Sequence, residues 1–175
     1  MLVPTIVVFV RTPLGALDPA LVARGIHERL PLLTALFCPE HEEPPDEVLE
    51  RMRIESSGKA ALTIRWRPPR SRFPLRVDLV KGPKSRRRIA DKLAVLQREY
   101  SAAQTAPVRK ALARAIECVG FFLSPIDRRG MGWPVALAAA AKLADVGNGI
   151  IGTSDQGWMV PDGNEVSWIL RARNG

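Results

Sequence analysis

The residues whose types and spacing best suit metal binding are Cys38 and His41. Two residues separate them, as in many pairs of zinc ligands, and two glutamates follow. A structural zinc site is almost always four-coordinate. The other histidine, His27, and the other cysteine, Cys118, lie elsewhere in the sequence. We therefore expect no bound metal and no cofactor.

Ser124 is the candidate for a catalytic nucleophile, because it follows the apolar run "GFFL". No G-x-S-x-G motif surrounds it, and Pro125 occupies the position where a nucleophile elbow turns into a helix. The glycine-rich "GNGIIG" precedes a predicted strand, so it lacks the helix N-terminus that binds phosphate and instead suits the end of a helix. These patterns predict no enzymatic activity.

Arginines form the most distinctive pattern, in "ALTIRWRPPRSRFPLRVDLV" from Ala61 to Val80. Apolar and polar residues alternate on both sides of a proline pair, which predicts a β-hairpin with one buried face. The face predicted to lie in the core carries Trp66, Phe73, Leu75 and Val77. The face predicted to point outward carries Arg65, Arg67, Arg76 and Asp78.

Charge is unevenly distributed along the chain. The net charge is +8, but residues 59–88 contain eleven Lys and Arg and one acid, giving +10, so the remainder carries −2. An acidic segment precedes the basic one and includes Glu42, Glu43 and Asp46. A basic surface attracts an acidic partner, which is either a phosphate polymer or a protein.

Both kinds of partner remain open. An RNA-binding plait places stacking aromatic residues on its exposed sheet face, whereas here the aromatics alternate with the arginines and should point inward. Lys84 and the following arginines are suited to phosphate contacts. Arginine also forms bidentate pairs with carboxylates at protein interfaces. The residues predicted to contact a partner are Arg65, Arg67, Arg76, Arg86, Arg87, Arg88, Glu42, Glu43 and Asp46.

Length and composition favour one domain spanning residues 1–175, and the sequence patterns described next favour a cytoplasmic location. Apolar residues make up 46% and charged residues 25%, which is typical of globular proteins. Two cysteines are too few for a disulfide framework, so we expect reduced thiols. No signal-peptide pattern begins the sequence, and no apolar run reaches the roughly 18–20 residues needed to cross a bilayer.

The order of predicted elements is β-α-(short α)-β-β-α-α-β-α-β-β. We expect the first helix to begin after Asp18 and end near Arg29, a helix capped by Ser85, and another that starts at Pro107. The elements up to Leu123 follow the order of a ferredoxin-like β-α-β-β-α-β core. The predicted fold is therefore α+β, a mainly antiparallel sheet with helices packed on it, extended by a C-terminal helix and β-hairpin.

Two segments carry a resemblance to a known group of proteins. They are "IVVFVRTPLGALDPALVARGI" and "GFFLSPIDRRGMGWPVALAAAAKLADVGNGIIGTSDQGWMVPDG". In their first strand, their Trp-initiated Ala-rich helix and their closing "GIIG" and "GW", they resemble immunity proteins of bacterial polymorphic-toxin systems. The resemblance covers about a third of the chain and leaves out the basic segment. It implies a small cytoplasmic protein that binds and masks a cognate toxin and catalyses nothing.

Overall fold

A computed structural model describes residues 4–40, 43–66 and 74–172. Within these residues the strands are β1 Ile6–Val10, β2 Arg53–Ser56, β3 Ala61–Arg65, β4 Leu75–Val80, β5 Glu117–Phe122, β6 Ile150–Thr153, β7 Gly157–Asp162 and β8 Glu165–Arg171. The helices are α1 Pro19–Phe37, α2 Pro45–Arg51, α3 Gly82–Glu99, α4 Ala102–Ala113 and α5 Gly132–Val146. A single 3₁₀ turn, Asp127–Arg129, precedes α5.

All eight strands form one sheet in the order β2-β3-β4-β5-β1-β6-β7-β8, and each described pair is antiparallel. The predicted α+β class, with helices packed on an antiparallel sheet, is confirmed, as are the C-terminal helix and hairpin. Across the parts of the chain described here, every helix is too short or too polar to span a bilayer.

The strand order differs from that of a ferredoxin-like plait, in which the first strand lies between the third and fourth. Here β5 lies between β4 and β1. The reason is that α3 and α4 form a helical pair that returns the chain to the edge where β4 ended. Val80 at the end of β4 therefore pairs with Cys118 at the start of β5, and the two strands run antiparallel.

Helices cover the two faces of the sheet unequally. On one face, α1, α2 and α5 bury the alternate residues of the central strands, including Ile6, Val8 and Phe121. On the other face, α3 and α4 cover Val7, Phe9 and their neighbours. The strand β1 is apolar throughout and buried along its whole length, because helices cover both of its faces.

Trp66, Leu75 and Val77 lie in the core beneath α1 and α5, so the predicted register of the β3–β4 hairpin is confirmed for the described residues. Phe73 lies outside the described residues. The helix α1 begins after Asp18, as predicted. Asp18 is its N-cap, and the Asp18 carboxylate accepts a hydrogen bond from the Ala20 N–H at 2.9 Å.

Three predicted helix bounds were wrong, those of α1, α3 and α4. The helix α1 continues beyond Arg29 to Phe37, through Pro31, because burying Leu30 and Leu33 offsets the lost backbone hydrogen bond. The helix α3 begins at Gly82, before Ser85, which is buried inside it. Pro83 explains the earlier start, because proline suits the first helical turn.

The helix α4 also begins earlier than predicted, so that Pro107 lies inside it. Its N-terminus is a capping box, in which Ser101 caps the helix and Gln104 bonds back to the backbone of Ser101. The edge strand β2 was missed, because its four residues are mostly exposed and carry no hydrophobic alternation.

Candidate functional site

On the second face of the sheet, no helix of the described residues packs over the part that lies toward β2. The strands β2 to β5 place most of their apolar side chains under α1 and α5, and alternation directs the other side chains to the opposite face. There, in the described residues, the apolar side chains of α3 and α4 pack along β4 and β5 only as far as Val80 and Cys118. We call the uncovered area the open sheet face and define it by Glu55, Thr63, Arg65, Arg76, Asp78 and Phe122.

Strand pairing arranges four of these residues in one row across the sheet. Glu55 pairs with Thr63, Thr63 pairs with Arg76, and Arg76 pairs with Phe122. Residues directly opposite on antiparallel strands have Cβ atoms about 4.5–5.5 Å apart. The row therefore places a carboxylate, a hydroxyl, a guanidinium and an aromatic ring side by side.

Arg76 has the most defined geometry on this face. Its Nε donates to Asp78 Oδ1 and its Nη2 lies by Asp78 Oδ2, each at 2.8 Å, so the contact is bidentate. Its guanidinium carbon also lies 5.9 Å from the centre of the Phe122 ring, within cation–π range. The hydrogen bonding and charge of Asp78 raise the pKa of Arg76. Arg76 is therefore held in one orientation while its side chain stays 63% exposed.

Arg65 lies on the same face, one strand away. Its Nε is 3.7 Å from a carboxylate oxygen of Glu55, and both side chains are more than a third exposed. An exposed pair at that distance contributes about 0–1 kcal/mol. Arg65 is therefore free to change partners at little cost. Arg67 lies outside the described residues.

A cleft of about 440 Å³ opens beside Arg76. Most of its lining is apolar, and the contributing residues are Thr63, Pro74, Arg76, Phe122, Leu123, Ser124 and Pro125. Its volume falls within the roughly 300–1,000 Å³ of ligand pockets. An apolar hollow next to a fixed cation suits an occupant that carries both an apolar group and a negative charge.

The three consecutive arginines of α3 do not act as one cluster. Arg86 and Arg87 are exposed, whereas Arg88 is half-buried. A Cβ on Gly120 would lie 3.2 Å from Arg88 Nη1, so the missing side chain of Gly120 makes room for this guanidinium over β5. Arg88 therefore borders the open sheet face, and its Nη1 is buried without a hydrogen-bond partner among the described residues.

The predicted acidic contacts lie elsewhere in the molecule. Glu43 pairs with Arg51, and Asp46 is exposed in the first turn of α2. The buried side of α2 packs, through Val48, into the core on the α1 side of the sheet. The predicted acidic and basic contacts therefore belong to opposite sides of the sheet. Glu42 lies outside the described residues.

In the described residues, the side chains considered for catalysis and for metal binding are hydrogen-bonded or buried. The Ser124 hydroxyl donates to Asp127 Oδ2 at 2.5 Å and accepts from the Asp127 N–H at 3.2 Å, so it stabilises the turn formed by residues 124–127. Burial raises the pKa of both the Cys38 and the Cys118 thiols. No three His, Cys, Asp or Glu side chains within residues 4–40, 43–66 and 74–172 gather as a metal site. His41 lies outside those ranges.

Two features of the open sheet face were not foreseen. Phe122 belongs to the apolar run "GFFL", yet it is only half-buried, beside Arg76. Its role depends on β5 pairing with β4, and no local pattern specifies that pairing. The sequence did contain a signal for the Arg76–Asp78 contact, since residues two apart on a strand lie on the same face of the sheet.

No protein-family model, curated protein or solved structure matches the chain. The resemblance to immunity proteins therefore stays a prediction.

Proposed function

We propose that this protein is a non-enzymatic binding module of the immunity type, which neutralises a cognate bacterial toxin by docking it on the open sheet face. The observation that carries the proposal is the fixed, exposed Arg76 beside an apolar cleft on a sheet surface that no described helix covers. Interface centres commonly combine arginine, aromatic and apolar groups in this way.

Charge favours an acidic partner surface. The basic segment 59–88 carries +10, and it supplies both Arg65 and Arg76 to this face. Such a field steers an oppositely charged protein and raises its association rate at low salt. The lifetime of the complex would depend more on desolvated contacts such as the cleft.

Nucleic-acid binding is the alternative, and the exposed Arg86 and Arg87 favour it. Against it, Phe122 is the one aromatic residue among the six that define the open sheet face. Phe122 is half-buried and offers little area for base stacking. We therefore place protein recognition first.

The test is co-purification from the native host after nuclease treatment, with the adjacent reading frame inspected for a toxin domain. Any retained protein is then purified and its affinity measured by calorimetry. A stoichiometric complex is expected, burying on the order of 1,200–2,000 Å². Loss of every partner after nuclease treatment would contradict the proposal. Affinity for duplex DNA or RNA whose log–log salt slope is about −0.9 per phosphate would favour the alternative.

Charge-reversal variants identify the surface. Arg65→Glu with Arg76→Glu should abolish the complex while circular dichroism shows the fold intact. The matched control is Arg24→Glu with Arg114→Glu, which changes the net charge equally at exposed residues on α1 and after α4. Equal weakening by both double variants would mean that only net charge matters. An unaffected complex would place the binding surface elsewhere.

A further inference from the structure

We infer that Asp78 positions Arg76 to receive a carboxylate of the partner, and that the neighbouring cleft takes an apolar side chain adjacent to that carboxylate. This inference rests on the proposed function, since it specifies the chemistry of the segment that the open sheet face would recognise. The occupant is a protein segment in which an acidic residue neighbours a leucine-like or aromatic residue.

The geometry of the guanidinium leaves one edge free. Arginine has five N–H donors in a planar fork. Asp78 occupies the edge formed by Nε and Nη2. The remaining N–H groups of Arg76 have no acceptor among the described residues, and the side chain is largely exposed. A second carboxylate can therefore bind Arg76 without displacing Asp78.

Asp78 lowers the cost of that binding by ordering Arg76 in advance. A free arginine side chain loses much rotamer freedom when a ligand fixes it. Here the two contacts with Asp78 and the ring of Phe122 already hold it. A binding site whose groups are already ordered gains affinity because less entropy is lost on association.

The cleft supplies the second half of the recognition. Phe122 and Arg76, which contact each other, line it together, and Pro74 and Pro125 contribute apolar surface. An apolar side chain placed there would lie next to the guanidinium, so its neighbouring carboxylate would reach the free edge of Arg76. Arg65 and the half-buried Arg88 border the same face and add positive charge, which complements an acidic segment.

The positioning role of Asp78 can be tested with two variants that each remove one negative charge but are expected to change binding differently. Both Asp78→Asn and Glu55→Gln remove one negative charge from the open sheet face. If the face bound acids by net charge alone, both variants would bind an acidic ligand more tightly. If Asp78 positions Arg76, Asp78→Asn should bind it more weakly, and Glu55→Gln should bind it at least as well as the wild type.

The probe is 3-phenylpropionate, which joins an aromatic group to a carboxylate, titrated into the intact protein and followed by NMR. We expect saturable shifts at Thr63, Phe122 and Leu123 and at the Arg76 Nε–H signal, with a dissociation constant on the order of 1–10 mM for so small a ligand. The controls are 3-phenylpropanamide, which lacks the charge, and acetate, which lacks the ring. Each should bind about tenfold more weakly or worse.

Asp78→Asn should weaken 3-phenylpropionate binding about three- to tenfold, the factor expected when one side chain must be ordered on binding. Arg76→Lys should weaken it at least as much, because lysine cannot form the bidentate contact. Unshifted amide spectra away from the open sheet face would show that both variants fold. Tighter binding by Asp78→Asn, or the absence of saturable shifts in the wild type, would overturn the inference.

The test of this recognition site can fail or succeed independently of the test of the proposed function. Probe binding that depends on Asp78, without any protein partner in the host, would support the recognition site and contradict the immunity role. A protein partner whose affinity is unchanged by Asp78→Asn and Arg76→Lys would support a binding role and overturn the inference about this site.

Discussion

The indole of Trp66 lies directly against Gly132. A Cβ built on Gly132 would lie 2.8 Å from Trp66 Cζ2, closer than carbon atoms pack. This contact joins the residue that follows β3 to the first turn of α5, across 66 positions of the chain. It anchors the β3–β4 hairpin, whose other side is the open sheet face, to the helix layer.

Trp66→Ala should therefore destabilise the whole domain. Trp66 is 1% exposed, and removing a buried aromatic ring typically costs about 3–5 kcal/mol. Chemical denaturation of wild type and variant measures this difference in the free energy of unfolding. Stability close to that of the wild type would mean that the indole is not packed in the core, and hence that the hairpin register is inverted.

Gly132→Ala tests the same contact from the other side. The added methyl group would also meet the backbone oxygen of Asp127 at 2.8 Å, so the chain must shift and the expected cost is about 1–3 kcal/mol. Gly130→Ala is the matched control, because a Cβ there meets nothing within 4 Å and its φ is −131°. An equal change in the melting temperature of both variants would contradict the contact.

Ser124→Ala should lower stability by about 1 kcal/mol, because the hydroxyl makes hydrogen bonds to both the carboxylate and the N–H of Asp127. Ser154→Ala, at an exposed turn position whose hydroxyl makes only a 3.4 Å contact with Asp155, should change stability much less. Thermal unfolding of the two variants provides the comparison. Equal losses of stability in the two variants would show that the hydrogen bonds between Ser124 and Asp127 do not stabilise the fold. Covalent labelling of Ser124 by a fluorophosphonate would reopen the question of a nucleophile.

The sequence contained enough to predict elements whose signals are local. The alternation around Trp66 and Leu75 specifies which side of the hairpin is buried, because the side-chain period of a strand is two. The start of α3 was misjudged because Ser85 and Pro83 both suit a helix N-terminus, and proline determined the outcome. Pairings between distant strands, such as Arg76 with Phe122, depend on the whole topology and have no local signature.

Arg29 shows that contacts of charged residues with distant parts of the chain also have no local sequence signature. It lies on α1 with a 3% exposed side chain, and its guanidinium contacts Glu28, Asp145 and the carbonyl oxygen of Gly163. Two of these partners are 116 and 134 positions away in the sequence. An arginine among apolar residues on a predicted helix gives no indication that such partners exist. For the same reason, the sequence could propose Arg76 for the candidate site but could not identify the cleft beside it.

The buried thiol of Cys118 predicts how stability depends on pH. Burial raises its pKa in the folded protein, although Ser85 and Arg88 oppose this in part. The folded state thus holds the proton more tightly than the unfolded state, so the contribution to stability is complete below the unfolded pKa. This contribution is lost as pH rises through the folded pKa.

Above about pH 8.5, the free energy of unfolding should therefore fall more steeply for the wild type than for Cys118→Ala. Urea unfolding of both proteins between about pH 7 and pH 10 measures the two slopes. Parallel slopes would show that Cys118 ionises as readily in the folded protein as in the unfolded chain, which its full burial should prevent.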